Sequence, residues 1–135
     1  MALGSSMDEL SAAVYKILAG DTALKNMTQG VYDAIAPSQT LYPYVVLGEW
    51  TEGPNDILSR EGRECTVAVH IYSRYSGSKE VKAIFKRVLA LLGRSAVSTQ
   101  NWNVVFGIFE TANTLVEDNE TQHLIARFRW RLSPK

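Results

Sequence analysis

The stretch from Trp102 to Leu132 constrains the fold more than any other part of this chain. Residues 102–116 and 121–132 read as two long strands joined by Glu117-Asp118-Asn119-Glu120, whose central Asp-Asn pair suits a tight hairpin turn. In the second strand, alternation sends Leu124, Ala126, Phe128, Trp130 and Leu132 to one face, toward a core. Arg127, Arg129 and Arg131 fall together on the other face, with His123 and Ile125. A two-residue turn at Asp118-Asn119 sets Glu117 opposite Glu120, Glu110 opposite Arg127 and Phe109 opposite Phe128. That register also keeps Val105 and Leu132 on the core face, so both faces are consistent with it.

Upstream, periodicity switches between 3.6 and 2. Ser6-Met7-Asp8-Glu9 reads as a capping box, Leu10, Val14, Ile17 and Leu18 recur at helical spacing, and Gly20 predicts a left-handed stop. Asp21 caps one or two further turns before Gly30, and Val31–Ile35 reads as a short strand closed by Pro37. Tyr44–Thr51 and Glu64–Tyr72 are two more strands; in the latter Cys65, Val67, Val69 and Ile71 share one face and Thr66, Ala68, His70 and Tyr72 the other. Gly48, Gly53 and Gly62 read as turn and strand-bulge positions. Ser78 is expected to cap a helix whose apolar stripe is Val81, Ile84, Phe85, Val88, Leu89 and Leu92, ended by Gly93, with Lys79, Lys82 and Lys86 opposite. The order α-β-β-β-α-β-β, with two principal helices and no βαβ alternation, predicts an α+β domain with a mainly antiparallel sheet.

The 135 residues are one domain's worth, with 46% hydrophobic and 21% charged side chains. Residues 1–135 are read as a single domain, with 1–6 a flexible or cloning-derived start, since a second methionine stands at position 7. The start lacks the basic and apolar regions of a secretory signal, and no apolar run approaches a membrane span, so a soluble protein made in the cytoplasm is expected. Fourteen basic against 14 acidic residues argue against a dedicated nucleic-acid or anionic-membrane binder.

Catalytic signatures are missing. Cys65 is the single cysteine, which rules out an intramolecular disulfide or a multi-cysteine metal site. Cys65 and His70, five residues apart on a strand, point to opposite faces and make a poor nucleophile and base. His70 and His123 are expected as sheet-surface imidazoles with local hydrogen bonds, and no H-E-x-x-H, G-x-S-x-G, P-loop or G-x-G-x-x-G occurs. No catalytic residue, cofactor or metal site is assigned, and an enzyme is not expected.

Three features remain as candidate contacts. Arg127, Arg129 and Arg131 suit either a solvated face neutralised by carboxylates such as Glu110, or a protein–protein surface. A single-stranded nucleic-acid platform is disfavoured because arginines and aromatics occupy opposite faces. The polar segment from Glu52 to Arg63 is long for a hairpin loop, and Asp56, Ile57, Leu58, Arg60 and Glu61 in it fit a subunit-binding arm anchored by the Ile-Leu pair. Trp50, at a strand end, suits either core or contact.

Taken in order, Leu10–Leu18, Ala19-Gly-Asp-Thr-Ala-Leu24, Gly30-Val-Tyr-Asp33 with Pro37, Tyr42-Pro-Tyr-Val-Val-Leu-Gly48, His70-Ile-Tyr-Ser73 with Gly77, and the arginine-rich last strand run nearly end to end. In this order and spacing the chain resembles the tail-completion, or tail-terminator, proteins of long-tailed bacteriophages and related particles. The resemblance implies an α+β subunit of a ring, expected to be hexameric, that caps the tail tube, ends its growth and offers a surface for head attachment. Its implied partners are further copies of itself, the tail-tube protein and the head-completion or connector protein, with DNA only as passing cargo and no membrane. The implied location is the head-proximal end of the virion tail, after assembly in the bacterial host. Another connector or minor tail-tube subunit, or a small nucleic-acid-binding domain, are the alternatives. The balanced charge also hides an asymmetry: residues 1–63 hold 4 basic and 8 acidic side chains, and residues 64–135 hold 10 and 6, a net of −4 beside +4.

Overall fold

The structure, a computed structural model, describes residues 4–56, 58, 60–93 and 97–135. Eight elements follow in the order α1 (Met7–Ala19), α2 (Thr22–Met27), β1 (Val31–Asp33), β2 (Tyr44–Pro54), β3 (Arg63–Ser73), α3 (Lys79–Leu92), β4 (Trp102–Glu117) and β5 (Thr121–Pro134). The strands form one five-stranded sheet in the order β1-β2-β3-β5-β4, antiparallel except for the β1–β2 pair. This is the expected α+β fold, with α2 as a short third helix.

All three helices supply the second layer on one face of the sheet. Leu10, Val14 and Leu18 of α1 and Val81, Ile84, Val88 and Leu92 of α3 are buried against Val45, Leu47, Cys65, Val67, Val69, Ile71, Ala126, Phe128 and Trp130. Those are the helical stripes and strand faces that periodicity assigns, because an apolar stripe on a helix and an apolar face on a sheet gain most by covering each other. The other sheet face carries no helix. It holds Tyr44, Thr66, His70, Tyr72, His123 and Arg127.

Several helix ends differ from expectation. Ser6 makes no capping bond to α1; its hydroxyl donates to Glu52 Oε2 at 2.6 Å, and Glu9 instead accepts from the Asn101 backbone N–H at 2.8 Å. Glu52 Oε2 also accepts from the Ser6 backbone N–H at 2.8 Å, the donor that Glu9 would take in a local box. Ser5 Oγ also donates to Glu52, so Ser5 and Ser6 are both tied to β2. Gly20 is right-handed (φ −87°) rather than left-handed; a Cβ there would sit 2.8 Å from the Lys16 carbonyl oxygen, so crowding accounts for the glycine. Ser78 makes no side-chain cap on α3. Asp21 does cap α2, accepting from Leu24 N at 2.9 Å.

The long hairpin also departs from its expected register. Its connection has three residues, Asp118, Asn119 and Glu120, with Asp118 and Asn119 both left-handed at φ 53° and 58°, and Glu117 pairs with Thr121. The extra residue moves the pairing by one, so Thr111, not Glu110, faces Arg127. A bulge between Phe109 and Thr111 then takes the shift back, which is why Phe109 does face Phe128. A second bulge between Val104 and Phe106 turns Val105 to solvent and leaves Val104 to pack on the core.

Candidate interaction surfaces

The three arginines of β5 share a face and meet three different fates. Arg129 is gripped from both neighbouring strands: its Nε donates to Glu110 Oε2 at 2.7 Å and its Nη1 to Glu64. The bulge between Phe109 and Thr111 leaves Glu110 diagonal to Arg129, which faces Ile108, and its carboxylate reaches back to that guanidinium. Arg131 is only 9% exposed, and its Nη2 donates to the Asn55 carbonyl at 2.9 Å. Arg127 is exposed and makes no ion pair among the described residues. Of the three, Arg127 alone makes neither an ion pair nor a side-chain hydrogen bond among the described residues.

Arg131 buttresses the neck of the 55–62 loop. Across that neck Asn55 N donates to the Gly62 carbonyl at 3.0 Å, Gly62 N donates to Asp56 Oδ1 at 3.0 Å, and Asn55 Nδ2 donates to Glu64 at 3.1 Å. Gly62 is required for the closure, since a Cβ there would lie 2.2 Å from the Asn55 carbonyl oxygen. Beyond the neck Asp56, Leu58, Arg60 and Glu61 are exposed, with Leu58 wholly in solvent. Ile57, its expected companion, lies outside the described residues. The strands thus deliver a pinned loop with an apolar tip.

Trp50 sits where β2 bulges between Gly48 and Thr51, with Glu49 at φ 47°. The bulge turns its ring to the helix side, stacked on Trp130 at 6.1 Å between centroids. Its Nε1 is buried and has no hydrogen-bond partner among the described residues. Trp50 therefore supports the core beneath the loop rather than standing out from it.

One cluster was not legible in the sequence. His70 and His123 lie diagonally on the helix-free face, and His70 Nδ1 and His123 Nε2 are 2.7 Å apart. Glu49 meets His70 Nε2 at 2.7 Å and Glu117 meets His123 Nδ1 at 3.2 Å, making a chain of carboxylate, two imidazoles and carboxylate. Between the two rings one nitrogen donates and the other accepts, and each ring's outer nitrogen meets a carboxylate. The rings are too close to admit an ion between them, since a metal needs ~2 Å to each nitrogen. Burial pushes His123 below the ordinary histidine value, and Glu117 only partly offsets this. Tyr72 stacks on His123 at 4.2 Å and Tyr44 on Tyr72 at 5.0 Å, so this patch is a closely stacked wall. The expectation of local hydrogen bonds holds for both histidines; their mutual contact depends on the β3–β5 register.

Cys65 and His70 do point to opposite faces. The Cys65 thiol is buried on the helix side, beside Ser6 and Glu52, and burial pushes its pKa up to about 11. It is a protonated, packed thiol at neutral pH. Among the described residues no group of three or more His, Cys, Asp or Glu side chains is placed to hold a metal ion.

Among the described residues the fold offers a pinned loop, a stacked wall, the exposed Arg127 and long strand edges on a two-layer scaffold. Such features suit contact with other proteins. The chain matches the tail completion protein gp17 family over residues 12–133, nearly its whole length, and it belongs to that family. It is accordingly a structural protein of phage tail assembly. A chain in the virion of a native gene transfer agent (GTA) particle superimposes with a TM-score of 0.86 at 24% identity, covering 97% of this chain and 99% of that one. The gp17 protein of bacteriophage SPP1 superimposes with a TM-score of 0.64 at 20% identity, covering 93% and 89%. At these identities the likeness is one of fold. No curated relative matches the chain in sequence.

Proposed function

We propose that this protein forms a ring on the end of the tail tube, stops tube growth and presents the surface to which the head attaches. The family match over residues 12–133 carries this reading, and the predominance of contact features in the structure supports it. Six copies per ring are expected, at the head-proximal end of the tail and assembled in the bacterial host. The tube protein lies on one side and the head-completion protein on the other, and DNA passes through.

Within this reading the 55–62 loop is a docking arm. Leu58 is the anchor, Asp56, Arg60 and Glu61 set its polar surround, and the neck restricts how far the tip can wander, which lowers the ordering cost of binding. Arg127 is a second docking group, while Arg129, Arg131 and Trp50 hold the surface behind these contacts.

Electron microscopy of particles assembled without this protein tests the reading. Overlong tails without heads are the expected result; tails of normal length refute it. Deleting residues 53–62 is expected to abolish assembly while the monomer keeps its circular dichroism and cooperative melting. Unchanged assembly removes the loop from the account.

A further inference from the structure

The histidine chain on the helix-free face laces four adjacent strands together. Glu49 belongs to β2, His70 to β3, His123 to β5 and Glu117 to β4, which is the strand order of the sheet itself. Its middle link, from His70 Nδ1 to His123 Nε2, crosses from β3 to β5 and so joins the β2–β3 pair to the β4–β5 hairpin. That link lies near the end of the ladder: beyond the Tyr72–His123 pair, Ser73 facing Gln122 is the last.

A hydrogen bond between two imidazoles needs one bare ring nitrogen. When both rings are protonated, all four nitrogens carry hydrogen. The outer N–H groups keep Glu49 and Glu117, but the inner ones confront each other, donor against donor and charge against like charge. The His70 and His123 side chains are only 12% and 8% exposed, so water is poorly placed to replace the lost acceptor. The chain then divides into two ion pairs, Glu49 with His70 and His123 with Glu117, and it divides at the β3–β5 boundary.

The other groups on this face do not offset that repulsion. Burial raises the Tyr72 and Tyr44 phenols, Tyr44 to about 12, so both stay neutral through the histidine range. Tyr42 packs beyond Tyr44, under the Arg74 guanidinium. Arg127, two residues along β5 from the Ile125 that faces His70, adds another cation. The two carboxylates within reach, Glu49 and Glu117, are already engaged.

We infer that the two imidazoles form an acid-sensitive latch: protonation of both parts His70 from His123 and frees the hairpin tip, residues 117–123, from β3. The His70 charge is one of the causes that lower the pKa of His123, so the second proton enters against the first. Two other ties hold the tip on this side, Arg74 Nε to Thr121 Oγ1 at 3.2 Å and Arg74 to Glu120 at 3.0 Å. The Arg74–Glu120 pair is well exposed and worth little. Leu124, Ala126 and Phe128 are buried in the core, so the opening stops at the tip. The latch belongs to the single subunit and stands or falls apart from the ring reading.

The test is nuclear magnetic resonance of the full chain with 15N-labelled histidine, together with amide hydrogen exchange corrected for its intrinsic pH dependence. At about pH 8 a nitrogen–nitrogen coupling across the bond should join the two rings, and at about pH 5 it should be gone. Protection of amides 117–123 should fall about tenfold over the same range, while amides 124–132 hold. His70→Gln keeps an acceptor for His123 and removes one of the two charges, so the protection of its tip should not change with pH. Coupling that persists at about pH 5, or tip protection that holds in the parent, overturns the latch. So does an equal loss in His70→Gln, or a loss spread evenly along the chain. The coupling in the parent decides alone where the variant does not fold.

Discussion

β4 and β5 are adjacent strands of 16 and 14 residues, and they invert the expectation that charge marks the outside. β5 carries three arginines and a histidine and is buried along most of its length, His123 at 6% exposure included. β4 carries two charged residues and leaves most of its apolar side chains in solvent. Position in the sheet accounts for the difference. β5 lies between β3 and β4 with α3 across it, so its apolar face is covered and Arg129 finds acceptors on both sides. β4 has one neighbour, and α3 reaches only part of it. A buried guanidinium is tolerated where carboxylates or carbonyls meet its donors; an exposed valine costs nothing until a partner arrives.

The strongest way to break this contrast is at Trp130, fully buried between Trp50 and Phe128. Trp130→Ala should cost ~3–5 kcal/mol in urea denaturation, the range for a large core deletion. A loss below ~1 kcal/mol would mean that β5 is not the packing centre. Next comes the loop neck that receives Arg131. Gly62→Ala drives a methyl into the Asn55 carbonyl and should cost ~1–3 kcal/mol, with faster proteolysis within 53–62. An unchanged cleavage rate would show that the neck does not restrain the loop.

Arg129→Met removes the cation between Glu64 and Glu110 and leaves two carboxylates facing each other. A loss of about 1 kcal/mol is expected, since the site is partly solvated. Adding Glu110→Gln should recover part of it, and a strictly additive double mutant would show that the network is not coupled. The two strands are also joined through His123 and Glu117. Because burial lowers the folded-state pKa of His123 below the ordinary 6.5, the unfolded chain binds that proton first. Stability should therefore fall as pH drops from about 6.5 toward the folded pKa, and His123→Gln should flatten that part of a Tm-versus-pH curve. A curve unaltered by the substitution would sever the histidine from the effect. The smallest stability change belongs to β4: Ile108→Asp should stay within ~0.5 kcal/mol of the parent in the free chain. A larger loss would make β4 a core strand after all.

Most elements were legible because they depend on short-range patterning. The stripe from Val81 to Leu92 and the alternation from Leu124 to Leu132 are both buried as read. What escaped was decided across the chain. Ser6 and Glu9 look like a capping box, but Glu52 and Asn101 offer them stronger partners far away in sequence. The hairpin register hinged on one residue of turn length and on two bulges that no propensity announces. Of the candidate contacts, the free surface at Leu58 follows from its loop, whereas the separate fates of Arg127, Arg129 and Arg131 required knowing which neighbours face each of them.

By itself, the sequence determined the fold class, the helix stripes, the strand faces and the lack of any catalytic motif, because these follow from periodicity and residue chemistry alone. Tertiary structure alone decided the strand order β1-β2-β3-β5-β4, and with it which strand is buried and which edge is free. It also brought His70 against His123 and Arg131 to the loop neck. The reason is physical: a side chain's type sets what partners it needs, and only the pairing of distant strands sets which partners it gets.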